Sequence, residues 1–271
     1  MNQLPLSDAK VAMTPAAADL HTADSVLVPG GDCPINLTIF VSCYNEAPYI
    51  IRTLDTLSGA LAELEFSYEI IVIDDCSKDN SADLVEDYIR ANPTQRLLLR
   101  RNKHNIGWAQ NYIDGAFIGK GKYYRIVCGD ASEPKDTMIK VFREIGTADI
   151  IIPYYVTNAG RSWQRGFLSG AYVALVNLIS GFRLKYYNGL PVHLRYNVMR
   201  WHSNTRGFGF QADILCLLLE QGFTFKEVPV FAVEQKGGKS TALSFKNALS
   251  IGHTLLDIGI RRIANMVYRR R

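Results

Sequence analysis

An α/β fold built on a mostly parallel sheet is the fold class that the sequence predicts, and three observations predict it. Short apolar runs, suited to strands buried on both faces, alternate with helical stretches between residues 37 and 153. Repeated strand–helix units of this kind imply parallel neighbours joined by right-handed crossovers. A chain of 271 residues with 48% hydrophobic residues can build the packed core of one large domain or two small ones.

The predicted elements follow one another in a regular order. In the first helix, Asn45 is the expected N-cap and Pro48 lies in the first turn. Pro229 places the last strand near a sheet edge. Strands are predicted at 37–43, 69–74, 96–100, 123–128, 148–153 and 225–233, and helices at 44–64, 82–92, within 102–119, and at 134–145, 161–182, 207–222 and 246–271.

Composition divides the chain into four segments and sets its compartment. Residues 1–34 are rich in Ala, Asp, Pro and Gly without a period, which predicts a flexible extension. Residues 35–153 hold the regular alternation, 154–245 form a second half, and 246–271 form a basic amphipathic helix. Five cysteines without a Cys-x-x-Cys pair, no signal peptide and no apolar run long enough to span a bilayer predict a cytoplasmic protein.

Acidic residues follow several predicted strands at the point where each strand ends. Glu46 follows the first strand beside Tyr44, Asp74 and Asp75 end the second, and Asp130 follows the fourth. Ligands bind beyond the carboxyl ends of parallel strands, and carboxylates that meet there repel one another unless a cation compensates. Oxygen ligands without His or Cys suit Mg²⁺ or Mn²⁺ held together with phosphate oxygens. For Asp130 alone, a cap on the helix near Pro134 is an equally good interpretation.

Several of these segments carry a family resemblance. The stretch VSCYNEA, followed by IVIDDCSKDNS, NIGWAQNYIDG and an aspartate four residues before a proline, resembles a family 2 glycosyltransferase. The resemblance covers about residues 36–245, and GFGFQADILCLLLEQGFTFKEVPV with GGKS is similar to the polyprenyl-phosphate sugar transferases of the dolichol-phosphate mannosyltransferase type. It implies a GT-A fold, with a Rossmann-like sheet flanked by helices. The resemblance also implies that residues 35–153 form the nucleotide-sugar-binding half and that residues 154–245 form the acceptor-binding half.

The resemblance also implies roles for the strand-end residues in a nucleotide-diphosphate sugar site. Tyr44 and Glu46 would line the base and ribose, and Asp75, with Asp74 adjacent, would hydrogen-bond the base. Gly107 would let the backbone approach the nucleotide. Asp130 would match the last acid of the family's metal-binding motif, although Cys128 stands where the first acid is usual. The expected cofactor is therefore Mg²⁺ or Mn²⁺ on Asp130, with arginines as the alternative means of neutralising the diphosphate.

The expected reaction is sugar transfer with inversion. Cleaving the bond from the sugar to the diphosphate develops negative charge on the leaving oxygens, and the attacking group must lie in line on the opposite face. Family members that act on hydroxyls usually carry an acidic pair at the position of Phe210 and Gln211, and the first acid here is Asp213. A missing base favours an acceptor that is already anionic, such as a polyprenyl phosphate. The residues predicted to serve catalysis or the acceptor are Asp130, Asp213, Arg161, Arg165, Arg195, Gln211 and Lys239.

The last helix carries an apolar stripe whose partner the sequence leaves open. The stripe consists of Leu249, Leu256, Ile260, Ile263 and Val267, and arginines follow it. One interpretation is an interfacial helix at the inner face of a membrane. The other is a helix packed on its own domain or on a second subunit of a homo-oligomer.

Two rival functions remain, and a third is disfavoured. The protein could use a saccharide hydroxyl as acceptor, with Asp213 or another acid as base, in cell-surface glycan or lipopolysaccharide synthesis. It could bind a nucleotide-sugar without catalysis, because Cys128 replaces an acid. Nucleic-acid binding through the basic tail is not predicted, since no aromatic residues are interleaved with those basic residues.

Overall fold

The computed structural model describes residues 35–156, 163–202, 207, 209–231 and 245–268, without the side chains of 163–165 and 245–248. The predicted extension at 1–34 lies outside these residues. The described elements are, in chain order, β1 (Leu37–Cys43), α1 (Ile50–Leu61), β2 (Tyr68–Asp74), α2 (Ser81–Ala91), β3 (Leu97–Arg101), α3 (Trp108–Ile118), β4 (Tyr123–Cys128), α4 (Lys135–Phe142), β5 (Ile150–Tyr155), α5 (Trp163–Ser180), β6 (Val192–Leu194), α6 (Arg195–Arg200), α7 (Phe210–Glu220), β7 (Phe225–Val230) and α8 (Phe245–Tyr268).

The strands of the described residues form one seven-stranded sheet in the order β3-β2-β1-β4-β6-β5-β7. All neighbouring pairs are parallel except those that involve β6, which runs antiparallel to β4 and β5. This confirms the predicted mostly parallel sheet, with β7 and its Pro229 at an edge. The strand β6 and the helix α6 that follows it were not predicted, because three residues are too few to show a strand period.

Helices cover both faces of the sheet, and the alternation of side chains in β1 explains the two resulting core layers. Leu37, Ile39 and Val41 pack with α1 and α4 on one face. Phe40 points to the other face and packs among residues of α3, α5, α6, α7 and α8. A strand covered on both faces is mostly apolar, and β1 is apolar except for Thr38 and Ser42. The sheet spans both predicted halves of the chain, since β7 pairs with β5 along its length.

The first helix starts later than predicted. Asn45 is not its N-cap: it lies in the left-handed region at φ +57°, and α1 begins at Ile50. Asn is one of the few residues that tolerate this conformation. Its side-chain Oδ1 accepts a hydrogen bond from the backbone N–H of Lys78 at 2.7 Å. This hydrogen bond joins the loop after β1 to the loop after β2. Glu46 therefore lies before the helix, at the crevice beyond the strand ends.

The C-terminal helix is present, but its predicted stripe faces outward. Leu249, Leu256, Ile260, Ile263 and Val267 are each 60–67% exposed. The side of α8 that packs on the domain carries Thr254 and Ile258, both fully buried. Among the described residues, no helix is long and apolar enough to cross a membrane.

Candidate active site

A cavity of about 380 Å³ lies beyond the carboxyl ends of β1, β2 and β4. Five residues predicted for a donor site line it together, namely Tyr44, Glu46, Asp75, Gly107 and Asp130. These residues come from four separate loops, so only the parallel pairing of the strands brings them together.

Hydrogen bonds between the loops after β1 and β2 hold Tyr44 and Glu46 in place. The N–H of Glu46 donates to Ser81 Oγ at 2.8 Å, and that of Asn45 donates to Ser77 Oγ at 2.9 Å. Tyr44 is 44% exposed, so its ring is available to a planar ligand at the cavity rim.

Asp75 fixes the loop between β3 and α3, which borders the cavity, through three hydrogen bonds. Its Oδ1 accepts hydrogen bonds from the backbone N–H of Ile106 and from Asn102 Nδ2, both at 2.9 Å. Its Oδ2 accepts from the N–H of Gly107 at 3.0 Å. Gly107 has φ +91°, a conformation that suits glycine. Asp75 thus fixes the strained turn into α3 while its carboxylate still borders the cavity.

Asp74, which was predicted beside Asp75, points elsewhere. It is the last residue of β2, it is buried, and its Oδ2 accepts from the N–H of Ser77 at 3.1 Å. It does not line the cavity. Successive residues of a strand face opposite sides, so only one of the two aspartates can reach the site.

Asp130 lies in a tight loop after β4 that is fastened from two sides. The N–H of Gly129 donates to the carbonyl oxygen of Ser42 at 2.9 Å, and a Cβ on Gly129 would lie 2.6 Å from that oxygen. Asp130 Oδ1 accepts from the N–H of Ser132 at 3.0 Å. The N-cap position of α4 is Pro134, with no side-chain cap. Asp130 is therefore not the helix cap that was the alternative interpretation.

Three carboxyl groups line the cavity, those of Glu46, Asp75 and Asp130. Burial, and after it the charges of Asp130 and Asp79, raises the pKa of Glu46 to about 7. Burial also raises the pKa of the Cys128 thiol, so this residue is neutral and does not replace the missing acid. The two neighbouring carboxyl groups of Glu46 and Asp130 favour the binding of a cation in the cavity.

The cavity residues could hold a divalent cation only together with oxygen atoms of a bound phosphate, which would complete the coordination of the cation. Among the described residues, no group of three or more His, Cys, Asp or Glu side chains could hold a metal ion. Asp130 offers a carboxylate at the cavity, and hard cations such as Mg²⁺ are often held by one or two carboxylates together with phosphate oxygens.

Three predicted residues of the second half have other partners. Asp213 is buried, accepts from Trp201 Nε1 at 2.9 Å and pairs with Arg261 at 2.8 Å. Gln211 Oε1 accepts from the N–H of Leu190 at 3.1 Å. Arg195 donates to the carbonyl oxygens of Gly121 and Ala116 at 2.7 and 3.0 Å. None of these three lines the cavity, and each has a visible structural role instead.

Other predicted residues lie outside the described part of the chain, and eight residues that were not predicted also line the cavity. Arg161, Lys239 and the side chain of Arg165 lie outside the described part of the chain. The eight residues that were not predicted are Ser42, Cys43, Asn105, Trp108, Asn111, Cys128, Gly129 and Gly207. Trp108 and Asn111 start α3 directly after Gly107, and that position next to the turn was the available signal. For Gly207, no comparable feature of the sequence indicates that the residue lines the cavity.

The part of the chain that contains most of the cavity residues matches a known protein family. The model described as Glycosyl transferase family 2 matches residues 38–202, which contain Tyr44, Glu46, Asp75, Gly107 and Asp130. The chain belongs to this family. The family 2 assignment made from the sequence motifs is confirmed.

Relatives of this family 2 glycosyltransferase include two enzymes named for lipid-phosphate substrates. A dolichyl-phosphate beta-glucosyltransferase from Dictyostelium discoideum is 40% identical over 108 residues, which are 38% of this chain and 33% of the relative. An undecaprenyl-phosphate mannosyltransferase from Micrococcus luteus is 26% identical over 215 residues, covering 75% of this chain and 86% of the relative. The chain thus matches one third of the first relative and most of the second.

Solved structures show that the fold is GT-A-like. Glucosyl-3-phosphoglycerate synthase from Mycobacterium tuberculosis, in complex with Mn²⁺, UDP-glucose and phosphoglyceric acid, aligns with a TM-score of 0.64 at 13% identity over 85% of each chain. The mannosyltransferase PcManGT from Pyrobaculum calidifontis, in complex with GDP-Man and Mn²⁺, aligns with a TM-score of 0.55 at 20% identity over 77% of this chain and 60% of its own. The predicted fold class is therefore confirmed.

Proposed function

We propose that this protein is an inverting glycosyltransferase that moves a sugar from a nucleotide-diphosphate donor to a polyprenyl phosphate. The observation that carries the proposal is the single cavity shared by Tyr44, Glu46, Asp75, Gly107 and Asp130 at the carboxyl edge of the sheet. Ligands of open α/β folds bind at that edge.

The donor would lie across the cavity with its base near Asp75 and its diphosphate near Asp130. Asp75 is already oriented by three hydrogen bonds, and carboxylate oxygens can accept more than one each. Tyr44 at the rim offers a flat apolar surface to the base. Gly107 has no side chain to keep the nucleotide away from the backbone.

Asp130 would act at the leaving diphosphate. A divalent cation, Mg²⁺ or Mn²⁺, would supply positive charge there when bound, and the Mn²⁺ in the complexes of the Mycobacterium and Pyrobaculum enzymes supports this choice of group. The protein's own contribution is a carboxylate held by the loop of Gly129 and Ala131, so that its position is set before the donor binds. In the absence of a second acid, the diphosphate oxygens would complete the coordination.

An anionic acceptor fits the second half of the chain better than a sugar hydroxyl. A hydroxyl needs a general base, and the predicted candidate, Asp213, is paired with Arg261 and hydrogen-bonded to Trp201. A phosphate monoester attacks without losing a proton first. The lipid phosphates in the names of the Dictyostelium and Micrococcus relatives support this acceptor class, and such an acceptor would bring the reaction to the surface of a membrane.

Transfer from labelled donors tests the proposal. The protein is incubated with each of several nucleotide-sugars, with Mn²⁺ or Mg²⁺, and with either a short-chain polyprenyl phosphate or a neutral oligosaccharide. We expect label in the lipid fraction for one donor and none in the oligosaccharide. Elongation of the oligosaccharide alone would contradict the acceptor, and donor binding without transfer or hydrolysis would contradict the enzymatic function.

A further inference from the structure

The helix α8 has its apolar side turned away from the protein. Between Leu249 and Tyr268, every exposed residue except His253 is apolar or aromatic. The most regularly spaced of these are Leu249, Leu256, Ile260, Ile263 and Val267. In a helix packed on its own domain, the apolar stripe faces the core. The outward stripe of α8 therefore has no partner among the described residues.

The polar residues of α8 are used to attach it to the domain. Arg261 pairs with Asp213 and Glu220 at 2.8 Å each, and Asn265 donates to Glu220 at 3.1 Å. Arg262 donates to the last carbonyl groups of α5, those of Leu178 and Ile179, at 2.9 and 2.8 Å. The inner side of the helix thus combines these ionic and hydrogen-bonded contacts with the buried Ile258, while its outer side is apolar as well.

The neighbouring helix α5 extends the same kind of surface. Its exposed large residues are Phe167, Leu168, Leu175 and Leu178, and its other exposed residues between 166 and 180 are glycine or alanine. This helix packs on α8, where Gly259 lies against Ile179. The exposed residues of both helices form what is called here the α5–α8 face. Monomeric soluble proteins rarely expose so many large apolar side chains on adjacent elements.

The charges next to the α5–α8 face are basic. Residues 246–271 contain six basic residues and one acidic residue, and Arg269, Arg270 and Arg271 follow α8 directly in the sequence. Arg183, three residues after the end of α5, is exposed. A second copy of the chain would bring the same positive charge to the contact, whereas an anionic lipid surface is complementary to it.

From these observations we propose that the α5–α8 face docks the protein on an anionic phospholipid bilayer. The apolar side chains would enter the boundary between headgroups and acyl chains, and the arginines would lie among the headgroups. Docking by this face needs no helix to cross the membrane. The docking depends on the proposed function only for its biological role, which is to bring the enzyme to an acceptor in the membrane.

The docked helix touches the segment that borders the cavity. A Cβ on Gly209 would lie 2.3 Å from Thr254 Oγ1 of α8, so backbone and helix meet closely there. Gly207, two residues earlier, lines the cavity. The bilayer surface would therefore lie near the edge of the site at which an acceptor phosphate could enter.

Vesicle flotation tests the docking directly. The full chain is mixed with vesicles of phosphatidylcholine alone or of phosphatidylcholine with phosphatidylglycerol, at low and high salt. We expect binding to the anionic vesicles that weakens with salt. The double variant Leu256→Gln with Ile263→Gln should lower the partition coefficient at least about tenfold. Two aliphatic side chains that would be buried in the bilayer are lost without a change of charge. The matched control is Leu98→Gln with Phe117→Gln, two exposed apolar residues outside the face.

Three results would overturn the docking: no binding of the full chain to anionic vesicles, equal loss in both double variants, or a dimer in sedimentation velocity that the Leu256 and Ile263 variant dissociates while vesicle binding is absent. Circular dichroism checks that both variants are folded. Calorimetric titration with nucleotide-sugars is run on the same samples. Vesicle binding without any donor binding would refute the proposed function and leave the docking intact.

Discussion

The hydroxyl of Thr53 accepts a hydrogen bond from the backbone N–H of Ala131 at 2.9 Å. The same hydroxyl donates to the carbonyl oxygen of Gly129 at 2.9 Å, so one side chain from α1 bridges the peptide groups on either side of Asp130. Thr53 is fully buried, and Ala131 has φ +52°, an uncommon conformation for a residue with a side chain. The position of the Asp130 carboxylate therefore depends on a residue that does not line the cavity.

Replacing Thr53 by valine should loosen the Asp130 loop. Valine keeps the shape of the side chain but leaves the Gly129 carbonyl and the Ala131 N–H without their partner, at a cost of about 1–3 kcal/mol. We expect donor affinity to fall by about tenfold or more, measured by titration calorimetry. Thr56→Val is the control, because its hydroxyl only bonds back to the carbonyl of Arg52 in the same helix. Equal losses in both variants would count against a positioning role for Thr53.

Asp75→Asn should weaken donor binding through the turn at Gly107. The carboxylate accepts from two backbone N–H groups with its two oxygens, and an asparagine can accept with only one. The lost acceptor corresponds to about 1–3 kcal/mol, or roughly a 5- to 150-fold rise in the dissociation constant for the nucleotide. The exposed Asp87 in α2, changed to asparagine, is the control. An unchanged dissociation constant in Asp75→Asn would refute this part of the donor site.

The strand ends were the part of the site that the sequence could predict, because apolar runs followed by polar residues mark the carboxyl edge of a parallel sheet. That reasoning found Tyr44, Glu46, Asp75 and Asp130. It could not separate Asp75 from Asp74 without the strand's alternation at its last residue.

Contacts between distant residues were beyond the sequence. Asp213 looked like an available base because its partner Arg261 lies 48 residues further along the chain. The spacing of the stripe in α8 was correct, but which side faces the domain depends on that same ion pair. The strand β6 forms only because β4 and β5 pair with it on both sides.

Stability should fall in mild acid because of His193. This residue is fully buried in β6, and burial lowers its pKa to about 3 from the ordinary value of 6.5. Below pH 6.5 the unfolded chain binds a proton at this residue that the folded chain does not, so the free energy of unfolding decreases. From about pH 7 to about pH 5 the loss should be about 2 kcal/mol. In urea titrations, His193→Leu should remove this dependence, whereas His104→Leu, on an exposed histidine, should keep it.

Arg261 should be the most important single residue for holding α8 in place. It joins Asp213 and Glu220, two nearly buried carboxylates, and burial already raises the pKa of Glu220. Arg261→Met would leave both acids unpaired and should cost about 3 kcal/mol in the free energy of unfolding. The loss should be smaller at low pH, where protonation of Glu220 removes its need for a cationic partner. Arg90→Met, which breaks an exposed ion pair, should change stability by about 0.5 kcal/mol or less; equal effects would contradict this account.

Asp130 is proposed to act at the diphosphate end of a nucleotide-sugar. The most direct measurement compares wild type, Asp130→Asn and Asp136→Asn for labelled sugar transfer to polyprenyl phosphate over a range of Mn²⁺ concentrations. Asp136 is an exposed acid in the first turn of α4 and controls for the loss of one charge. This role of Asp130 predicts metal-dependent turnover that falls at least about a hundredfold in Asp130→Asn and is unchanged in Asp136→Asn. Turnover of Asp130→Asn at the wild-type rate and with the wild-type metal dependence would contradict it.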